Sequence, residues 1–339
     1  MGVQIAEIFP KEVIELEQLK GRTIAIDAFL WLYQFLSIIR QRDGTPLMDS
    51  KGRITSHLSG VFYRNISLLH TGIRPVWVFD GKPPVFKSYI LAQRSERKTA
   101  AALEWKKAVA EGDLEKAKAA AGMSSKLTDD MVEQAKELLG YMGIPVVQAP
   151  SEGEAQCAEM CKSGIVWAVA SQDSDSLMFG SPRLVRNLSI TGKRKLPKKN
   201  VFIEVKPELI QLKQVLDVLG ITREQLIILG MLVGTDFNPG IKGIGPKRAL
   251  IIIKELKSLE KVIEKTGWNS ETAPEDIYNF FLDPPVEKNV KISFKPCKED
   301  KIRSMLIDEF EFSQERIEKS LAMLKSASSG EGLGRWVKK

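Results

Sequence analysis

An α/β fold, with a mainly parallel central sheet flanked by helices, is what three features of this 339-residue sequence predict. Short apolar runs read as buried strands: TIAID at 23–27, PVWVFD at 75–80 and VWAVA at 166–170. Long stretches of helical periodicity separate them, as parallel pairing requires. Each run also leads into an aspartate (Asp27, Asp80, Asp173), and sites in such sheets lie beyond the carboxyl ends of the strands.

In chain order, TIAID follows the turn-like LKGR, and AFLWLYQFLSIIRQR then reads as a helix that carries Tyr33 and closes on Arg40 and Arg42. A polar loop, DGTPLMDSKGRI, leads to a second helix at 55–71. PVWVFD is broken by GKPP. From Lys82 to Lys126 ten basic residues face five acids, read as two helices outside the core with a break at Gly112-Asp113. A solvated hairpin and a substrate-facing arch both fit that pattern. A helix at 130–142 stops at Gly143, and IPVVQ is the next strand.

APSEGEAQCAEMC (149–161) opens a helix with Glu152 and Glu154, and VWAVASQDSDSLMFG (166–180) is strand-like and carries Asp173 and Asp175. RLVRN and VFIEV are strands around ITGKRKLPKKN, and Arg183 to Lys199 holds seven basic residues and no acid. Residues 207–235 read as helical and apolar, with Asp236 just beyond. The tail reads as KIRSMLIDEFEF and a helix capped by Ser313, then a flexible SASSGEG linker. LGRWVKK fits a short docking peptide or a frayed terminus.

Ser151 with Glu154 also fits a capping box, which would make the two glutamates a helix start. Residues i and i+2 on a helix do not share a face, so as ligands one would bind directly and the other through water. Asp173 and Asp175, if extended, point the same way; DSDS also fits a turn. Acids this close repel unless protons or cations neutralise them. Oxygen ligands without His or Cys suit Mg²⁺ or Mn²⁺. With only His57 and His70, histidine triads and zinc cages are nearly excluded. Cys157 and Cys161, four apart, read as small buried residues, and three cysteines in all fit a reducing compartment. A formal charge of +7 favours a polyanionic partner. In GIKGIGPKRA (240–249), Gly240, Gly243 and Gly245 let backbone N–H groups approach a phosphate. Lys242, Lys247 and Arg248 add charge there; a tight connection between helices fits the glycines alone, while the basic flanks favour a grip on a nucleic-acid backbone that reads no sequence. No apolar run nears the roughly 18 residues of a membrane helix. No secretory signal is read at the start, and Ala6 argues against N-myristoylation of Gly2.

IAIDAFLWLYQFL, PVWVFDGKPP, QRSERK, MGIPVVQAPSEGEAQCA, ASQDSDSLMFGSP, KLPKKN, LVGTDFNPGIKGIGPKRA and LGRWV together resemble the archaeal and eukaryotic flap endonucleases of the structure-specific 5′ nuclease superfamily. The resemblance spans nearly the whole chain. It implies a PIN-like nuclease core in which Asp27, Asp80, Glu152, Glu154, Asp173, Asp175 and Asp236 hold two magnesium ions. It implies that Lys87 and Arg94 contact the scissile phosphate. Tyr33 would stack on the displaced nucleotide, with Arg40 also on the DNA side. The hairpin would hold downstream duplex with a monovalent cation. Leu333 and Trp336 match the sliding-clamp box, but Gly330 and Val337 depart from it, which implies weaker docking. The implied division is 1–98, an N-terminal nuclease region; 99–129, the continuation of an arch of about 82–129; 130–258, an internal nuclease region with the hairpin at about 226–256; 259–329, helical support; and 330–339, the clamp tail. The expected activity is cleavage at the base of 5′ flaps, with 5′-3′ exonuclease activity, in replication and repair, by a monomer in an archaeal cytoplasm, or a nucleus if eukaryotic. The rivals are a sibling nuclease of gaps, bubbles or junctions, a metal-dependent phosphatase, and a non-catalytic DNA-binding scaffold.

Overall fold

The computed structural model describes residues 3, 5–41, 43–190, 192–195, 202–268 and 272–329, without the side chains of 88–94, 193–195, 202–203 and 326–329. In chain order the elements are β1 (Glu12–Val13), β2 (Thr23–Asp27), α1 (Ala28–Ile38), α2 (Ser56–His70), β3 (Arg74–Phe79), α3 (Ser88–Ala110), α4 (Leu114–Met123), α5 (Asp129–Tyr141), β4 (Val146–Gln148), α6 (Gly153–Lys162), β5 (Ala168–Ala170), α7 (Asp175–Met178) and β6 (Arg183–Arg186). There follow β7 (Gly192–Lys195), β8 (Phe202–Val205), β9 (Glu208–Gln211), α8 (Leu212–Leu219), α9 (Arg223–Val233), α10 (Pro246–Leu256), α11 (Leu259–Thr266), α12 (Pro274–Leu282), α13 (Glu299–Arg303) and α14 (Gln314–Ser329).

The main sheet has seven strands in the order β1-β9-β6-β5-β2-β3-β4. The run from β6 through β5, β2 and β3 to β4 is parallel, and β9 joins β6 and β1 antiparallel. Strand alternation sets two layers of core. Ile24, Ile26, Trp77 and Phe79 face α1, α2 and α5, while Ala25, Val76, Val78 and Val169 face Cys157, Met160 and Cys161 of α6. A third cluster, around Leu184, Ile210 and the apolar face of α9, joins the hairpin region to the sheet edge. The charged α3 and α4 form the expected pair outside the sheet, broken at Gly112, whose φ of +72° suits glycine.

Several local expectations shift. The run 207–235 is not one helical stretch: ELIQ pairs between β1 and β6 as β9, and Gly220 at φ +63° ends α8 before α9 begins. β9 exists because two distant strands offer it partners, which local periodicity does not register. α1 stops at Ile38, and Arg40 instead bridges to Pro46. The strand expected over 166–180 is confined to Ala168–Ala170, and Asp175 opens α7, so Asp173 and Asp175 are not one extended pair. Residues 326–329 of the expected linker continue α14. β7 and β8 form a separate antiparallel ribbon.

Candidate active site

Strand register brings the first acids together. Asp27 is paired with Val78, two residues before Asp80, and Ile26 with Ala170, three before Asp173. Asp27 caps α1, accepting from Leu30 N–H at 3.1 Å. Asp80 leaves β3 and accepts from Gly153 N–H at 2.6 Å, which ties it to the start of α6. Gly81 makes that approach possible: its N–H reaches Ser151 O at 2.6 Å, and a Cβ there would lie 2.2 Å from Ala149 O.

The capping-box alternative for Ser151 and Glu154 is not what folds. Glu152 itself is the N-cap residue of α6, with no side-chain cap bond. Glu154 turns to Ser171 Oγ at 2.6 Å, and Ser171 Oγ also receives Asp173 N–H at 3.1 Å. Asp175 accepts from Val3 N–H at 2.9 Å. Asp236 stands in a turn fixed by its neighbours: Thr235 Oγ1 donates to Asn238 Oδ1 at 2.8 Å and accepts Phe237 N–H at 3.0 Å, while Asn238 Nδ2 donates to Met231 O at 2.7 Å. Lys87, at the root of α3, is buried and donates to Glu152 Oε2 at 2.5 Å.

Each of the seven acids stands in an electrostatic contact with at least one other. Burial lifts Asp27 well above the carboxylate range, and the charges of Asp80 and Asp173 add to it. Burial and then Asp175, Asp27 and Asp173 do the same to Glu154. Asp175 is pushed up to about 8 by burial, Asp236 and Asp173. Burial raises Asp80 and Glu152 against the pull of Lys87, with Asp236 close enough to add to both. Burial pulls Lys87 down, but Glu152, Asp80 and Asp236 outweigh it and hold the ammonium above the usual lysine range. The acids lie within electrostatic range of one another, yet among the described residues no three of them converge to chelate one point. The donor set nonetheless fits hard divalent cations. It is all carboxylate oxygen, both histidines lie elsewhere in α2, and the one nearby thiol, Cys157, is kept protonated by burial and by Asp27 and Glu154.

Beside Asp173 opens a cleft of about 720 Å³, lined by Tyr33, Gln34, Lys11, Gln172 and Arg186 among others. Tyr33 faces it with Lys98 of the arch 4.2 Å over its ring and donating to its hydroxyl at 3.1 Å. Arg40, expected on the DNA side, spends its fork internally: on Leu36 O and Gly44 O, both at 2.7 Å, and on Ser125 Oγ at 2.9 Å. It ties α1 to the base of the arch.

Between α9 and α10, Gly240 and Gly243 adopt φ of +73° and +83°. Gly240 is packed hard, since a Cβ would meet Val233 O at 2.4 Å, whereas Gly243 and Gly245 face open space. Gly245 caps α10, Pro246 is its first residue, and Lys242, Lys247 and Arg248 are exposed around that opening.

Residues 1–101 match the XPG N-terminal domain and residues 143–236 the XPG I-region. Flap endonuclease 1 of Pyrococcus abyssi is 56% identical over 96% of this chain and 95% of its own length. Flap endonuclease 1 of Hyperthermus butylicus is 51% identical over the full length of both chains. The chain belongs to the flap endonuclease family.

The solved flap endonuclease-1 from Methanococcus jannaschii superposes with a TM-score of 0.76 at 43% identity, over 96% of this chain and 98% of that one. The catalytic core of Rad2 in complex with DNA substrate gives 0.71 at 26% identity, over 96% of this chain and all of its own. Flap endonucleases are nucleases, hydrolases by class, and the expected α/β architecture is the one found. The Arg94 side chain, Leu333 and Trp336 lie outside the described residues, as do Gly330 and Val337. Sequence reasoning missed Ser171, Lys98 and the Val3 N–H, which bond to Glu154, Tyr33 and Asp175 in this candidate site. Ser171 stood inside the quoted ASQDSD, but its link to Glu154 spans 17 residues and leaves no local trace.

Proposed function

We infer that this protein hydrolyses a phosphodiester bond at the junction between a 5′ single-stranded flap and duplex DNA. The observation that carries the reading is the gathering of seven carboxylates within one another's electrostatic range beyond the carboxyl ends of β2, β3 and β5, with Asp27, Asp80, Glu152 and Asp236 in the field of the buried Lys87. Asp27, Asp80, Glu152, Glu154, Asp173, Asp175 and Asp236 would hold two Mg²⁺, or Mn²⁺ in their place. Such a pair supplies charge for the attacked phosphate and lowers the pKa of a water. The chain's own residues do the rest. Lys87 offers its ammonium to a phosphate entering beside Glu152, as a preorganised donor that is itself buried. Tyr33 presents a ring on which a base stacks once Lys98 moves aside. Gly243, Gly245 and the α10 N-terminus grip the duplex backbone, where a monovalent cation would add to the hold.

By the same reading the enzyme also degrades 5′ ends exonucleolytically, serves replication (Okazaki fragment processing) and repair, works as a monomer, and docks a sliding clamp weakly through Leu333 and Trp336. An archaeal cytoplasm is its place. Among the described residues no helix is long and apolar enough to cross a membrane. Cleavage of a labelled 5′-flap oligonucleotide with Mg²⁺ tests the reading. Asp80→Ala and Asp173→Ala should each lose more than about 100-fold in rate, the scale of one preorganised electrostatic contact, while still shifting flap DNA on a gel. Near-normal cutting by either variant overturns it. Turnover of a small phosphate ester without DNA cleavage would favour a phosphatase.

A further inference from the structure

We propose that Phe86, Phe237 and Phe280 form a three-ring brace that holds Lys87 in register with the acids, which makes Phe280 of α12 a positioning residue for cleavage. The proposal rests on the role given to Lys87 above. Phe86 precedes Lys87 in the turn at the arch root, and Phe237 follows Asp236. The rings of Phe86 and Phe237 meet edge to face at 5.6 Å and 79°. Phe280 closes the triangle, 5.3 Å from Phe86 and 5.2 Å from Phe237. The face of Phe237 lies 5.5 Å from Lys87 Nζ. So the chain neighbours of the lysine and of one acid are locked together by a residue from a third segment.

A long, flexible amine gains from this. Lys87 carries four rotatable bonds, and its ammonium is held by Glu152 at one end and an aromatic floor at the other. Phe179 and Phe281 back the brace from below: Phe281 lies 4.6 Å from Phe179 and 5.3 Å from Phe237. Phe86 and Phe280 are only partly buried, at the rim of that cluster. Truncating Phe280 therefore frees the arch root without emptying the deep core.

A double-mutant cycle in single-turnover cleavage of a 5′-flap oligonucleotide decides the matter. Phe280→Ala should slow the cleavage step by about 10–100-fold, the scale on which a small misplacement of a catalytic group acts, with flap-DNA affinity unchanged. Phe280→Tyr should restore the rate. In a Lys87→Met background Phe280→Ala should cost nothing further. Independent, multiplicative losses in the double variant, a loss confined to DNA affinity, or a wild-type rate for Phe280→Ala would each overturn the brace. A wild-type protein that leaves flaps uncut, or Lys87→Met cutting at the wild-type rate, would instead sink the reading of the site on which the brace depends. Assays run below the melting temperature of each variant keep unfolding out of the comparison.

Discussion

His57 shows how one buried side chain sets a pH limit away from the acidic cleft. It is fully buried in α2, with Nε2 bonded to Gln134 Oε1 of α5 at 2.9 Å and no hydrogen-bond partner for Nδ1 among the described residues. Burial lowers its pKa from 6.5 to about 4, against the pull of Gln134. The sign follows directly. Between those values the unfolded chain takes a proton that the folded one refuses, so stability is full above pH 6.5 and falls as pH drops toward 4. At 1.36 kcal/mol per pH unit the loss approaches about 3 kcal/mol. Chemical denaturation at pH 7 and pH 4.5 should show it: His57→Gln is weaker than wild type at pH 7, and the gap narrows at 4.5. Parallel curves would show that His57 carries no such linkage. The acids respond to the same physics with the opposite sign, since burial raises them instead.

Helix, turn and strand signals explain which elements could be read in advance. The hairpin between α9 and α10 was legible because its glycines, proline and flanking cations lie within ten residues. Its function is open to a simple test. Lys247 is exposed at the first turn of α10, where a phosphate would sit. Lys247→Ala should weaken duplex binding equally for unrelated sequences and flatten the slope of log K against log salt by about 0.9, one phosphate contact's worth. A sequence-dependent loss, or an unchanged slope, would remove Lys247 from the backbone grip. The seven acids were legible for a similar local reason, since each follows a strand, opens a helix or ends an apolar run. What could not be read were links made only by folding. β9 needs β1 and β6; the Lys87–Glu152 pair spans 65 residues; and Arg40 looks like a surface cation until the arch base supplies Ser125.

Across the whole molecule, the cleft is the point where folding is opposed. Asp27 and Asp236 come from chain segments on either side of the arch, yet both contribute to one field of mutual repulsion. The sheet, the aromatic clusters and the apolar layers hold the acids in place at a cost in stability, with Lys87 a buried cation among them. A ligand that binds only the folded state returns that cost by mass action, about 2.7 kcal/mol at a hundred times its Kd. Thermal melts in chelator and with increasing Mg²⁺, or Ca²⁺ where turnover must be avoided, should therefore show a melting temperature that climbs with the logarithm of added ion. Asp175→Asn sharpens the test, because its carbonyl oxygen can still accept the Val3 N–H while its charge is gone. In chelator above pH 8, where Asp175 is charged, this variant should melt at or above the wild-type temperature, since one repelling charge has been removed. With the divalent ion its gain should shrink, because a ligand has been removed too. A wild-type melt indifferent to the ion, or an Asp175→Asn variant that is equally destabilised with and without it, would mean that the carboxylates are held apart by their hydrogen bonds alone and that no cation completes the cleft.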